Sequence, residues 1–230
     1  EAANYPFCTI EPNTGRVPVP DNRLDKLAKI ANSAKTIYSQ LEFVDIAGLV
    51  KDASKGEGLG NQFLGHIREV DAIAHVVRCF EDENITHVEG SIDPIRDLEI
   101  IETELLLSDI ESLEKQKNNL EKKIRGNDKE AKIKLSLIEK IYIEMSNGIV
   151  ARKIESLSSD ENNLLRELNL ITVKPVLYVC NLSESEIVNG NNYSEAVLRK
   201  AKLDNCGYTL VSAQIEQELS LLEESERDEY

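Results

Sequence analysis

The sequence predicts an α/β fold, a largely parallel sheet carrying helices, interrupted by a hairpin of two long amphipathic helices. Apolar runs of strand length at residues 40–45 (QLEFVD), 71–80 (DAIAHVVRCF), 175–181 (PVLYVCN) and 209–212 alternate with helical patterns at 61–69 and 194–202. Strands separated by helices pair in parallel, because a crossover of that length carries the second strand back alongside the first. From about Pro94 to Leu170 the character changes, and apolar residues recur at the spacing of paired helices. These patterns divide the chain into a first α/β part at 1–93, a helical coiled-coil insertion at 94–170 and a second α/β part at 171–230.

Residues 1–20 are rich in Pro, Asn and Thr without a sustained period, and read as an ordered loop followed by a short extended segment. Leu24, Leu27, Ala28 and Ile30 then follow an Asp cap at helical spacing, which predicts a short helix over 21–31. The run 40–45 ends in an acid with Gly48 close behind, as expected of a strand that stops at a functional edge. Within the insertion, Leu106, Ile110, Leu113, Leu120 and Ile124 follow a 4-3 spacing broken by Lys117. After Gly126-Asn127-Asp128 the spacing resumes as Ala131, Leu135, Ile138, Tyr142 and Met145. Two antiparallel helices joined by a tight polar turn account for this pattern, as architecture first and as a partner surface second.

A formal charge of −15, from 27 Lys and Arg against 42 Asp and Glu, argues against a DNA-coating surface. Residues 111–134 are a local exception, with eight Lys or Arg against five acids. Apolar runs are only a few residues long, far below the roughly 20 that cross a bilayer, and no basic-then-apolar leader opens the chain. No membrane partner is expected. Cys8, Cys79, Cys180 and Cys206 form no CxxC pair and have no His at metal-ligand spacing. They read as reduced thiols in or near strands, in keeping with a cytoplasmic location.

The chemistry-bearing residues stand where strands end. Asp45-Ile46-Ala47-Gly48 is a DxxG directly after a strand. In nucleotide switches such an Asp holds the magnesium shell through water, and the Gly N–H bonds the γ-phosphate, so loss of that phosphate releases the loop. The glycine-dense stretch Gly56-Glu57-Gly58-Leu59-Gly60 opens a helix and permits a backbone that refolds, or is a flexible surface loop. Thr9 follows an aromatic turn and is suited to placing its hydroxyl on Mg²⁺. Asn181-Leu182-Ser183-Glu184 begins where the run PVLYVC ends, the usual ligand edge of an open α/β sheet. Guanine-specific switches place NKxD there, the Asp accepting from the guanine N1–H and amine. Here Glu stands for Asp and Leu for Lys, so strict guanine selection should be lost. Ser212-Ala213-Gln214 follows the last strand run and resembles a loop that contacts the base with backbone amides.

The segments NYPFCTIEPN and FVDIAGLVKDASKGEGLGNQFLGHIREVDAI, the NLSE turn and the helical insertion together resemble the YchF/Obg-like ATPase family. The resemblance covers nearly the whole chain. It implies a Ras-like P-loop NTPase domain interrupted by a helical coiled coil, Mg²⁺ dependence, preference for ATP over GTP, and association with the ribosome and its RNA. By position it makes Thr9 and Asp45 the metal residues and Gly48 the γ-phosphate donor. Asn181, Leu182 and Glu184 would line the adenine pocket, with Ser212 and Ala213 closing it. Leu49 occupies the place where Ras-like proteins keep a water-positioning Gln, and an apolar side chain cannot orient that water. His87, in the polar loop at 81–93, could serve there, or is an ordinary surface histidine; His66 lies on a helix and His75 in a strand. No GxxxxGK[ST] occurs in the sequence, and the resemblance puts the phosphate-binding loop and a C-terminal TGS domain outside it. An Obg-type GTPase, or a non-enzymatic helical interaction module with a vestigial nucleotide site, are the alternative readings.

Overall fold

The computed structural model describes residues 13–46, 59–82, 85, 91–124 and 128–222. It forms two compact units, Glu1–Gly48 and Leu49–Tyr230. In the first, strand β1 (Asn13–Pro18) pairs antiparallel with β2 (Gln40–Asp45), in a register running from Asn13 opposite Asp45 to Pro18 opposite Gln40. Helix α1 (Asn22–Ala31) lies between them in sequence; the Asp21 side chain accepts the Arg23 N–H at its start, and Asn32 in the left-handed region ends it. Among the described residues β2 therefore pairs with β1, not with the parallel strands that sequence alternation assigns it to. β1 carries little apolar alternation and is a strand because β2 completes its backbone hydrogen bonds, which propensity does not register. Arg16 faces Glu42 across the pair at 2.6 Å.

The second unit holds α2 (Leu59–Glu69), β3 (Ile73–Arg78), α3 (Pro94–Ile124), α4 (Lys129–Ser146), α5 (Ser159–Glu167), β4 (Val176–Asn181), α6 (Asn192–Asp204), β5 (Gly207–Val211) and α7 (Ala213–Ser220). β3, β4 and β5 form a parallel sheet in that order. Val77, Cys79, Tyr178, Cys180 and Leu182 of this sheet bury against Leu98 of α3 and Val197 and Ala201 of α6. Cys79 and Cys180 are free thiols. A hydrogen bond to Cys180, with burial behind it, pushes the Cys79 thiol up from its ordinary value.

The helical part has its own core. Leu106 and Leu113 of α3 meet Leu137, Ile138, Ile141 and Met145 of α4, and Leu165 and Leu168 close the other side. The spacing that marks the two helices in the sequence is thus the spacing of their buried seam. Asp128 caps α4 by accepting the Ala131 N–H at 3.1 Å. Among the described residues no helix is long and apolar enough to cross a membrane.

Two buried polar clusters hold the helices, one to each other and to the turn before β4, the other to β4 itself. Asp109 of α3, fully buried, accepts the N–H of Ile171 at 2.9 Å, the N–H and hydroxyl of Thr172 at 2.7 and 2.8 Å, and Arg68 of α2 at 3.3 Å. Burial nevertheless raises its carboxyl above the usual range. At the end of α6, Asp204 accepts the Tyr178 hydroxyl at 2.8 Å and ion-pairs with Lys153 at 2.5 Å and Lys200 at 3.1 Å. Lys200 and Arg152 in turn face Glu102 of α3. Gly190, at φ +70, precedes the Asn191 cap of α6; a Cβ there would sit 2.8 Å from the Ser194 hydroxyl.

Candidate nucleotide-binding site

β3, β4 and β5 end on one edge, with Arg78, Asn181 and Val211 in register. In open α/β sheets this carboxyl edge is where ligands bind. The ladder runs one step past the strands: Cys79 N–H donates to the Asn181 carbonyl and Leu182 N–H to the Val211 carbonyl, both at 2.8 Å. The Asn181 side chain then reaches across β5 and accepts the Ala213 N–H through Oδ1 at 3.0 Å. The end of β4 thereby fixes the first residue of α7.

Ser212 is the N-cap of α7, at φ −115 and ψ 106, and its side chain makes no capping bond. It is 3 % exposed, and its Oγ is buried with no hydrogen-bond partner. A buried hydroxyl left unpaired costs about 1–3 kcal/mol, which a ligand group at this edge could recover. Glu184 opens a short 3₁₀ turn, Glu184–Glu186, and is exposed. Ser183 Oγ donates to Glu186 at 2.6 Å, and that bond, helped by Asn191, holds the Glu186 carboxyl below the usual range.

Asn181, Leu182, Glu184, Ser212 and Ala213 are therefore neighbours along one edge. Leu182 differs from its expected role: at 2 % exposure it belongs to the sheet core, so it anchors the turn and has little surface to line a pocket with. Asp45 is the last residue of β2, exposed, in the first unit. Thr9, Gly48 and His87 lie outside the described residues, as does Leu49. His66 is on α2. His75 packs edge-on to Tyr178 with ring centroids 6.3 Å apart, and burial lowers its imidazole to about 4. It is a half-buried histidine, neutral near pH 7.

Among the described residues no group of three or more His, Cys, Asp or Glu could hold a metal. A hollow of about 330 Å³ lies between α4 and α5, lined by Lys132, Ile133, Ser136, Leu137, Glu161 and Leu164, none of them on the carboxyl edge. Two residues that organise this edge escape motif reading. Asn191 donates from Nδ2 to the Cys79 carbonyl at 2.6 Å, and Arg78 folds over the loop after β3. Both bind main-chain carbonyls, which leave no side-chain partner to spot; an Arg closing an apolar strand run is the available signal.

Residues 1–107 match the family model described as 50S ribosome-binding GTPase. The chain is similar to the Escherichia coli O157:H7 protein named Ribosome-binding ATPase YchF, at 48 % identity over 100 % of this chain and 63 % of that protein. The protein of the same name from Bacillus subtilis strain 168 is 47 % identical over 99 % of this chain and 62 % of its own length. The solved structure of the Schizosaccharomyces pombe YchF GTPase superposes with a TM-score of 0.80 at 38 % identity, covering 99 % of this chain and 62 % of that one. The chain thus spans somewhat less than two thirds of the relatives it matches.

Proposed function

We propose that the chain belongs to the YchF family of Obg-related P-loop NTPases and carries the switch and base-recognition regions of a cytoplasmic, Mg²⁺-dependent ATPase that acts on the ribosome. The carboxyl edge of the sheet carries this reading. There the Asn181 side chain holds the Ala213 N–H at the start of α7, the Ser212 hydroxyl lies buried and unpaired, and Glu184 is exposed in the turn after β4. A guanine would need a carboxylate held at the reach of Asp. Glu184 is one methylene longer, and the site offers adenine backbone and amide groups instead.

The remaining roles follow from chain position. Thr9 and Asp45 supply hard oxygen donors of the kind magnesium prefers, Asp45 from the exposed end of β2. The ion, when bound, neutralises charge on the β- and γ-phosphates. Gly48 donates its N–H to the γ-phosphate, and His87 orients the attacking water that Leu49 cannot. Residues 94–170 form the arm that meets ribosomal RNA, with Lys122, Lys123 and Lys129 exposed near its turn. Nothing in this arrangement calls for DNA or a membrane.

Calorimetric titration of the full-length protein with ATP and with GTP tests the reading. ATP should bind at least as tightly as GTP. A GTP affinity tenfold higher would instead favour the Obg-type GTPase reading, which the family-model description and the fission-yeast relative's name support. Binding of neither nucleotide would leave a helical interaction module.

A further inference from the structure

The helical part leaves the sheet along α3 and comes back through the segment before β4, and one side chain outside it holds both. Arg68, in the last turn of α2, donates from Nη1 to the Asn169 carbonyl at 2.9 Å and to Asp109 Oδ1 at 3.3 Å. From Nη2 it donates to the Ser108 hydroxyl at 3.0 Å and to the Ser108 carbonyl at 3.3 Å. Ser108 and Asp109 belong to the outgoing helix. Asn169 lies on the returning segment, where its φ of +52 turns the chain between α5 and the 3₁₀ turn Ile171–Val173. A planar fork with donors in fixed directions can span two segments in this way, whereas a lysine ammonium is a point charge on a flexible stem.

The end of α2 is bound to the same junction through its main chain. Lys174 Nζ donates to the Arg68 carbonyl at 2.9 Å and to the Val70 carbonyl, occupying acceptors that a helix end leaves open. None of these bonds is needed to close the helical part on itself. Asp109 already takes the N–H groups of Ile171 and Thr172 and the Thr172 hydroxyl. Thr172 Oγ1 accepts the Ala151 N–H at 3.2 Å, and Gln116 of α3 donates to the Leu168 carbonyl at 3.1 Å. What Arg68 adds is a connection from α2 to the stretch of α3 between Leu98, in the sheet core, and Leu113, in the helical core.

We propose that Arg68 couples the nucleotide state to the helical arm, carrying movements of α2 to the point where α3 leaves the sheet. The inference deepens the proposed function and rests on it: in that reading the stretch beginning at Asp45 answers to the γ-phosphate, and α2 comes next among the described elements. Such coupling is reciprocal, so a partner on the arm changes nucleotide affinity by the same factor by which nucleotide changes the partner's.

The test uses the full-length protein and the variants Arg68→Met, Arg68→Lys and Ser108→Ala. Co-sedimentation gives the ribosome Kd without nucleotide and with a saturating non-hydrolysable ATP analogue. Calorimetry gives the analogue Kd without ribosomes, and thermal melting monitors the fold. In the parent protein the analogue should change the ribosome Kd by about fivefold or more, the lower end of ordinary coupling. Arg68→Met should bring that factor below about twofold, while each ligand measured without the other keeps its affinity. Arg68→Lys should not restore the factor, because the charge returns without the fork. Ser108→Ala, which removes one acceptor of the fork, should give a value in between. A merely structural Arg68 would lower the melting temperature and leave the factor whole. A factor that survives Arg68→Met at full size overturns the inference, as does a parent protein on which analogue and ribosome bind independently. If the parent binds no analogue or no ribosome, the proposed function itself fails and takes this inference with it. Should Arg68→Met not fold, Arg68→Lys and Ser108→Ala carry the same comparison.

Discussion

The Oδ1 of Asn181 accepts the backbone N–H of Ala213 at 3.0 Å, joining the end of β4 to the start of α7 across the end of β5. One amide side chain therefore sets the shape of the carboxyl edge before any ligand arrives. Asn181→Ala removes the acceptor and leaves the α7 amide to find water. A hydrogen bond of this kind contributes about 1 kcal/mol, so ATP affinity should fall roughly five- to tenfold. Calorimetric titration checks it, and an unchanged affinity would separate this edge from the nucleotide.

Base selection is best probed at Glu184, which is exposed, and not at Leu182, which is 2 % exposed in the core. Glu184→Asp should raise the affinity for GTP relative to ATP without affecting stability. Leu182→Lys should instead lower the melting temperature, since it places an ammonium among Val77, Cys180 and Val197 at a cost of several kcal/mol. Parallel titrations with the two nucleotides, alongside melting curves, distinguish a selectivity effect from an unfolding one.

Asp109→Ala should cost about 3–5 kcal/mol in urea unfolding. The loss leaves two buried N–H groups, the Thr172 hydroxyl and the Arg68 guanidinium without their shared acceptor. Arg68→Met leaves the Asp109 carboxylate its bonds from the Ile171 and Thr172 N–H groups and the Thr172 hydroxyl, so it should be milder than Asp109→Ala. Equal losses would show that the ion pair, and not the amide bonds, dominates.

His75 gives the unit a pH dependence of definite sign. Its folded value, about 4, lies below the ordinary 6.5 because burial disfavours the imidazolium. The unfolded chain therefore binds the extra proton first, and stability present above pH 6.5 is lost as pH falls toward 4. Allowing for partial exposure, the loss is on the order of 2 kcal/mol. Asp109 works the other way, its raised carboxyl making ionisation costly as pH rises above 3.8. His75→Gln should flatten the decline of melting temperature between pH 6.5 and 4; an unaltered slope would assign it to other groups.

Several lysines of the arm already face acids: Lys115 with Glu111 at 2.7 Å, Lys117 with Glu139 at 3.2 Å and Lys134 with Glu167 at 3.4 Å. Such exposed pairs contribute little to stability, but they cancel charge. The surplus is thereby concentrated toward the turn. Replacing Lys122, Lys123 and Arg125 with Glu should weaken ribosome co-sedimentation of the full-length protein by more than tenfold and reduce its salt dependence, leaving ATP binding intact. A variant that sediments like the parent would place the contact elsewhere.

The parallel strands and the long helices were legible because one periodicity governs each. The runs before Arg78 and Asn181 are apolar and end in polar residues, and the seam from Leu106 to Met145 keeps its spacing across the turn. A short extended segment before residue 20 was legible as well, but not its antiparallel pairing with β2, which depends on where the chain returns. α5 is polar enough to pass for a loop, although Ser158 and Glu161 form a capping box that announces it. Motifs led to Asn181, Glu184 and Ser212, whereas the burial of Leu182 and the carbonyls gathered by Arg78 depend on how the chain folds back, which no local pattern carries.

α3 is rooted in the sheet core through Leu98 and in the helical core through Leu106 and Leu113, as one uninterrupted helix to Ile124. At 1.5 Å per residue, Ile124 stands about 39 Å along the axis from Leu98, so a tilt of roughly 10° at the root sweeps the far end through about 7 Å. The helix is a lever with its short arm in the sheet, and shifts too small to unpack Leu98 become displacements at the tip as large as a side chain.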